Sequence, residues 1–135
     1  MVNCSAAWIE NENGILLEKR GDDANWGLIG GVMELGESAE DTIIREVNEE
    51  TGTSAKAHKL IGVYTDYHHE YPNGDQVQPV VFFFSVTIDP NATLTISDES
   101  IELRYFAQED LPALGMLQHR DMANDALAGR TGIYR

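Results

Sequence analysis

Two short apolar runs open the chain, residues 6–10 and 15–19, with Asn11-Glu12-Asn13-Gly14 between them. An Asn-Gly pair between apolar runs predicts a tight hairpin, because both residues tolerate the positive φ that such a turn needs. Residues 21–31 are crowded with Asp, Asn and Gly, follow neither period and read as a loop. From residue 38 to 51 the apolar spacing becomes helical, with Ser38 placed to cap, acidic residues in the first turn and Gly52 as the stop. Residues 58–64 read as a strand. Residues 67–76 read as a loop that turns at Pro72-Asn73-Gly74-Asp75. The most apolar stretch, residues 77–88, predicts a strand covered on both faces at the centre of a sheet. Residues 103–107 read as a further strand. Glu109-Asp110-Leu111-Pro112 reads as a helix start with proline in the first turn, and residues 116–127 as an amphipathic helix. Strands interleaved with helices define an α/β chain, a mixed β-sheet with helices packed on it. With no repeat and no linker-like stretch, residues 1–135 read as one domain.

Charge sharpens this picture. Nine Lys and Arg face 23 Asp and Glu, a net charge of −14. Such a chain repels nucleic-acid backbones and anionic membranes, so neither is the expected partner. No apolar run approaches a membrane span, and the first residues lack a basic region followed by an apolar one. The single cysteine, Cys4, cannot form an internal disulfide, so a reducing cytoplasm is the expected compartment. A small phosphorylated substrate stays compatible with the charge if a divalent cation screens it.

The acidity is concentrated. Between Glu34 and Glu50 stand seven carboxylates and one cation, Arg45. On a helix turning about 100° per residue, Glu46, Glu49 and Glu50 share an arc beside the stripe of Ile43 and Val47. Partly buried carboxylates ~5 Å apart repel by about 3 kcal/mol per pair at an effective dielectric near 20. A hard cation would reverse that sign, and oxygen-only ligands suit Mg²⁺ or Mn²⁺. A plain solvated acidic face is the competing reading of the same three residues.

The spacing of Gly31, five residues, Glu37, seven residues, then Arg45-Glu46-Val47-Asn48-Glu49-Glu50-Thr51-Gly52 resembles the Nudix box, the signature of the Nudix hydrolases. Thr53 departs from the aliphatic residue usual there, which bears on local packing alone. The resemblance extends to the preceding hairpin, the apolar strand, the Arg104-Tyr105-Phe106 strand and Glu109-Asp110-Leu111-Pro112. It implies an α/β/α sandwich. It also implies metal-dependent hydrolysis of a phosphoanhydride in a nucleoside diphosphate linked to another group, by an activated water. Carried onto this chain, the implied metal set is Glu46, Glu49, Glu50, Gly31 through its carbonyl (or Gly30) and Glu37, with Mg²⁺ or Mn²⁺. Arg45 is implied to orient Glu37 and Glu49. The implied catalytic set is Glu49, Glu46, Arg45 and Glu99. The base is open between Glu49 in the box and Glu99 in Ser97-Asp98-Glu99-Ser100, with Glu102 behind them.

For the substrate, Tyr64 to Tyr71 reads YTDYHHEY. Aromatic faces there can stack on a base, and His can read its edge. The candidates are Trp26, Tyr67, His69 and Tyr71, with Arg20, Lys56 and Arg104 as phosphate contacts. Ordinary loop packing competes for all of them. His68-His69 alone is not a metal site. No subfamily mark assigns the nucleotide, so the expected partner is a small nucleotide, with a homodimer left open. Two other functions compete: a non-catalytic Nudix-like domain that senses or binds a nucleotide, and an interaction protein whose acidic helix meets a basic partner.

Overall fold

The computed structural model describes residues 1–135. β1 (Val2–Asn11) and β2 (Gly14–Arg20) form the expected hairpin, joined at Asn11 and Gly14. β3 (Trp26–Gly27) and β4 (Ile29–Val32) follow, then α1 (Ala39–Thr51) and β5 (Ala55–Tyr64). β6 (His69–Glu70) and β7 (Gln76–Val77) make a small separate hairpin. β8 (Pro79–Ile88), β9 (Ser100–Phe106), α2 (Leu117–Leu127) and β10 (Ile133–Tyr134) complete the chain.

β8 runs antiparallel to β5 on one side and parallel to β1 on the other. β4 pairs antiparallel with β1, and β10 pairs parallel with β5. β2 carries β3 and β9 as antiparallel neighbours. β8 takes the central place expected of it, with Val81 and Phe83 turned into one core layer and Phe84, Val86 and Ile88 into the other.

Strand parity sorts the core into two layers. Ala7, Ile9, Leu16, Ile29, Val86 and Ile88 meet Ile43 and Val47 of α1. Ala6, Trp8, Ile15, Leu17, Val81 and Phe83 face the other way, onto Met122 and Ala123 of α2. The result is an α/β/α sandwich. Each fully buried aliphatic side chain contributes roughly 1.5–3 kcal/mol by leaving water.

α1 begins and ends where local chemistry dictates. Ser38 Oγ accepts the Asp41 N–H at 3.0 Å and Asp41 Oδ2 accepts the Ser38 N–H at 3.1 Å, a reciprocal cap. Gly52, at φ 77°, takes the left-handed conformation that ends the helix.

Three expectations need correction, and one strand was not foreseen. Residues 21–31 are not all loop, because β3 and β4 lie within and beside them. A Cβ at Gly30 would run into the Ser5 carbonyl oxygen, so glycine is what lets β4 close onto β1. The stretch 67–76 likewise contains β6 and the start of β7. Pro112 does not start a helix. The one 3-10 turn, Gln108–Asp110, has ended before it, with Leu111 already extended as a residue before proline prefers. Finally, β10 has no strong sequence signal. It is held by backbone pairing to β5 and by Arg135, which bonds Asp125 at 2.8 and 2.9 Å.

Candidate active site

A cleft of about 620 Å³ opens over the sheet between α1, the start of α2 and the β6–β7 hairpin. The start of β1, with Val2, Cys4 and Ala6, lies between its two flanks. One flank is acidic, built from Glu18, Glu46, Glu49, Glu50 and Glu99. The other is mostly apolar, built from Val77, Pro79, Val81 and Met116 with Gln118, and His119, His69 and Tyr71 line the same cleft.

Arg45 organises the acidic flank. Its Nε and Nη2 donate to Glu37 at 2.7 and 3.0 Å, and its Nη1 donates to Glu46 at 3.0 Å and Glu49 at 3.2 Å. Nη2 also reaches the Val32 carbonyl at 3.0 Å, tying α1 to β4. Glu37 accepts two further bonds, from the Glu34 N–H at 2.9 Å and from Thr42 Oγ1 at 3.0 Å. These donors, the Arg45 guanidinium first, hold Glu37 down to about 2.

Glu46 behaves oppositely. Burial pushes it up to about 7 despite Arg45, with Glu49 and Glu50 adding to the rise. Its carboxylate rests against Gly31, where a Cβ would occupy the same space. Glu49 is the open member, its side chain 55% exposed. Glu50 is buried at 4% and accepts hydroxyl bonds from Ser97 and Ser100, both at 3.1 Å. Glu99 stands between those serines in sequence, and its backbone N–H bonds Ser97 Oγ at 3.3 Å. The segment presenting Glu99 is thereby anchored to α1.

Sequence reasoning missed Glu18. It lies on β2 at 6% exposure, and Ser100 Oγ lies 3.0 Å from its Oε2. Burial raises its pKa first, and Glu50 beside it raises it further. The single Ser100 hydroxyl hydrogen cannot serve both carboxylates, so the pair needs a proton or a cation between them. Parity carried the missing signal, because Glu18 shares a face with Leu16, two residues back, and Leu16 packs under α1.

The remaining candidates divide. Glu49, Glu46, Glu50, Gly31, Glu99, Arg20, His69 and Tyr71 line the cleft, as does Arg45. Arg20 is forked onto Asp22 at 3.1 and 2.9 Å. Glu37, Trp26 and Tyr67 do not line it. Glu37 is committed to Arg45 and so supports the site from behind. Trp26 sits edge-on to Phe106 at 4.9 Å with the Arg104 guanidinium 5.3 Å from its ring, fixed in packing instead of offered to a base. Tyr67 donates its hydroxyl to Asp121 at 2.7 Å, which turns it onto α2. Lys56, Glu102 and Arg104 also lie outside the cleft, with Glu102 and Arg104 bonded to each other at 2.7 Å.

No three His, Cys, Asp or Glu side chains converge on one point, because Arg45 and the serines hold these carboxylates. The donor chemistry nonetheless fits a divalent cation. The ligands are oxygens, and the buried Glu18 and Glu50 carboxylates share a single hydroxyl, that of Ser100.

An α/β/α sandwich with a capped acidic helix on one face and an acidic cleft over the sheet is the architecture that comparison with known proteins then places in a family. The profile described as "NUDIX domain" matches residues 2–126. The chain belongs to the Nudix hydrolase family and is a pyrophosphohydrolase of that family. It is 33% identical over 127 residues to an ADP-ribose pyrophosphatase of Methanocaldococcus jannaschii, covering 92% of this chain and 72% of that one. It is 28% identical over 112 residues to nucleoside triphosphatase NudI of Escherichia fergusonii, covering 76% of this chain and 79% of the relative. A crystal structure of a Nudix hydrolase from Nitrosomonas europaea superposes with a TM-score of 0.78 at 22% identity, over 99% of this chain and 79% of that one, and supports the fold. No helix here is long and apolar enough to cross a membrane.

Proposed function

We propose that this chain hydrolyses a phosphoanhydride in a nucleoside diphosphate linked to another group, a nucleoside triphosphate or an ADP-sugar-like compound, with Mg²⁺ or Mn²⁺ as cofactor. The observation that carries this is one cleft lined by five carboxylates, Glu18, Glu46, Glu49, Glu50 and Glu99, opposite a mostly apolar flank. Relatives named for ADP-ribose and for nucleoside triphosphates support both substrate classes.

Glu46, Glu49 and Glu50, with Glu18 beside Glu50, are the residues that would hold the cation. When bound it supplies positive charge against the phosphate oxygens and acidifies the attacking water. Arg45 keeps Glu46 and Glu49 oriented and does not itself meet the phosphates. Two carboxylates are candidates to take the water's proton, Glu49 only if it does so instead of holding the cation. Glu49 is the more exposed box residue, and Glu99 is fixed at the rim by the Ser97 and Ser100 anchors. Arg20 would reach a phosphate once released from Asp22. His69 and Tyr71 would flank the nucleoside.

The test is a substrate panel of nucleoside triphosphates, ADP-ribose and dinucleoside polyphosphates, with product identification, run on the parent and on Glu49→Gln and Glu99→Gln. Removal of the true base lowers kcat by about 10²–10⁴-fold with KM little changed. Absence of Mg²⁺-dependent turnover on every compound would refute the proposal.

A further inference from the structure

The chain entering α2 runs beside β3. The Gly115 N–H donates to the Trp26 carbonyl at 3.1 Å, and Leu114 forms a bridge with Trp26. His119 is thereby laid over Gly27, where an added Cβ would stand 3.1 Å from its Nδ1, so glycine is what admits the ring. Gly27 pairs with Glu18 of β2, and directly opposed residues of an antiparallel pair point to the same side. The imidazole therefore lies over the face from which the Glu18 side chain projects. One strand spacing separates them, which sets Nδ1 within about 9 Å of the Glu18 Cβ. His119, Glu18 and Arg20 all line the cleft.

The protein fixes what this ring can offer. Nδ1 accepts the Leu28 N–H at 3.2 Å. A backbone N–H only donates, so Nδ1 carries no hydrogen and the neutral ring carries it on Nε2. Nε2 has no partner in the protein and is not sealed from solvent. Burial first, and then the Arg20 charge, hold the imidazole down to about 4, so at physiological pH it is an uncharged donor. An imidazolium would be drawn onto the carboxylates that share this side of the cleft, whereas the neutral ring keeps its N–H for a ligand. Arg20, on the same wall, has its fork occupied by Asp22 at 3.1 and 2.9 Å.

We infer that His119 is a further substrate-binding residue of this site, its Nε2–H donating to a non-bridging phosphate oxygen of the nucleotide. The inference rests on the hydrolase reading above and adds a residue outside the Nudix box to the groups that hold the diphosphate. Position favours a phosphate over a base. β2, β3 and β4 all lie on one side of β1 and β8 lies on the other. Glu18 belongs to β2, and Glu46 rests against Gly31 of β4, so phosphates drawn to a cation on these carboxylates enter on the side that His119 covers. Pro79 and Val81 of the apolar flank belong to β8, across β1. An uncharged donor also suits this place, because it meets the phosphate without forming an ion pair with the glutamates.

Calorimetric titration in Mg²⁺ with two probes tests this: α,β-methylene-ADP, whose diphosphate resists cleavage, and inorganic pyrophosphate, which has no base or sugar. His119→Met should bind both about tenfold or more weakly than the parent, the worth of a hydrogen bond to a charged acceptor. His119→Gln, whose one amide can accept from Leu28 and donate outwards, should recover most of that loss. A variant that merely folds poorly lowers the number of binding sites and keeps their affinity. Equal affinities in the parent and His119→Met overturn the inference. So does weakening for the nucleotide without weakening for pyrophosphate, which would make His119 a contact of the base or sugar. A loss that His119→Gln does not relieve assigns the ring to packing and also overturns it. Turnover of the parent on the substrate panel decides the hydrolase reading separately. A parent that cleaves nothing yet binds pyrophosphate through His119 upholds the phosphate contact without the hydrolase, and an active parent whose binding ignores His119 overturns the contact alone.

Discussion

Arg45 holds Glu37 with two nitrogens, at 2.7 and 3.0 Å, and so spends its fork on a residue outside the cleft. The remaining nitrogen is then aimed at Glu46 and Glu49. Lysine carries the charge but has a single head and cannot span both sides. Arg45→Lys should therefore lower activity by about 10–100-fold, the usual cost of losing a group that orients metal ligands. Glu37→Gln should give a loss of the same kind, since both changes release the same fork. Turnover in each variant, with circular dichroism to verify the fold, checks this. Full activity in Arg45→Lys would show that the fork is dispensable.

Gly30 and Gly31 adjoin each other yet should fail differently. A Cβ at Gly30 meets the Ser5 carbonyl oxygen and the Ala6 Cα, both backbone, so β4 would have to leave β1. Gly30→Ala should cost about 1–3 kcal/mol in urea unfolding, as overpacking does. A Cβ at Gly31 meets only the Glu46 carboxylate, the mobile end of a side chain. Gly31→Ala should unfold close to the parent midpoint but lose turnover, because Glu46 must swing away. Equal stability losses in the two variants would contradict this.

How far the sequence foretold these arrangements depended on how local their causes are. Ser38, Asp41 and Gly52 bracket α1 through contacts within a few residues, so the helix and its acidic arc were readable. The β1–β2 hairpin and β8 were readable from a turn dipeptide and an unbroken apolar run. Glu18 reaches Glu50 only through tertiary folding, and four successive residues, Ile15 to Glu18, hid the alternation that assigns it a face. Trp26 and Tyr67 were near the right segments but point onto Phe106 and Asp121, a choice made by packing. Gln118 and His119 looked like ordinary helix positions, because their partners, Leu28, Tyr64 and Pro79, are distant in the chain.

Glu50→Gln should separate charge from hydrogen bonding. Gln retains an oxygen for Ser97 and Ser100 while removing the buried charge beside Glu18 that helps to raise it. In chelator, the variant should melt above the parent, by roughly 2–4 °C for each kcal/mol of repulsion relieved. Millimolar Mg²⁺ or Mn²⁺ should raise the parent's melting temperature, since a ligand that binds only the native state stabilises it. The variant should show little of that rise and little turnover. A parent melting curve indifferent to both cations would count against a cation site at Glu50.

His119 gives a pH dependence with a definite sign. Burial holds its pKa at about 4, below the ordinary 6.5 that it regains on unfolding. The fold therefore favours the neutral ring. That contribution is whole above pH 6.5 and is lost as pH falls towards 4. Its full size is about 3 kcal/mol at ~1.4 kcal/mol per unit. Glu46, pushed up to about 7, and Glu18, raised beside Glu50, act in the opposite direction, because the fold favours their protonated forms. The raw stability curve thus mixes opposing slopes, and the informative quantity is the parent minus His119→Asn. Urea unfolding in chelator from pH 7.5 to 4.5 should show that difference shrinking as the acid end is approached, since only the parent has this imidazole to protonate. Parallel curves across the window would mean that His119 titrates normally and that its Nδ1 bond to Leu28 does not hold it neutral.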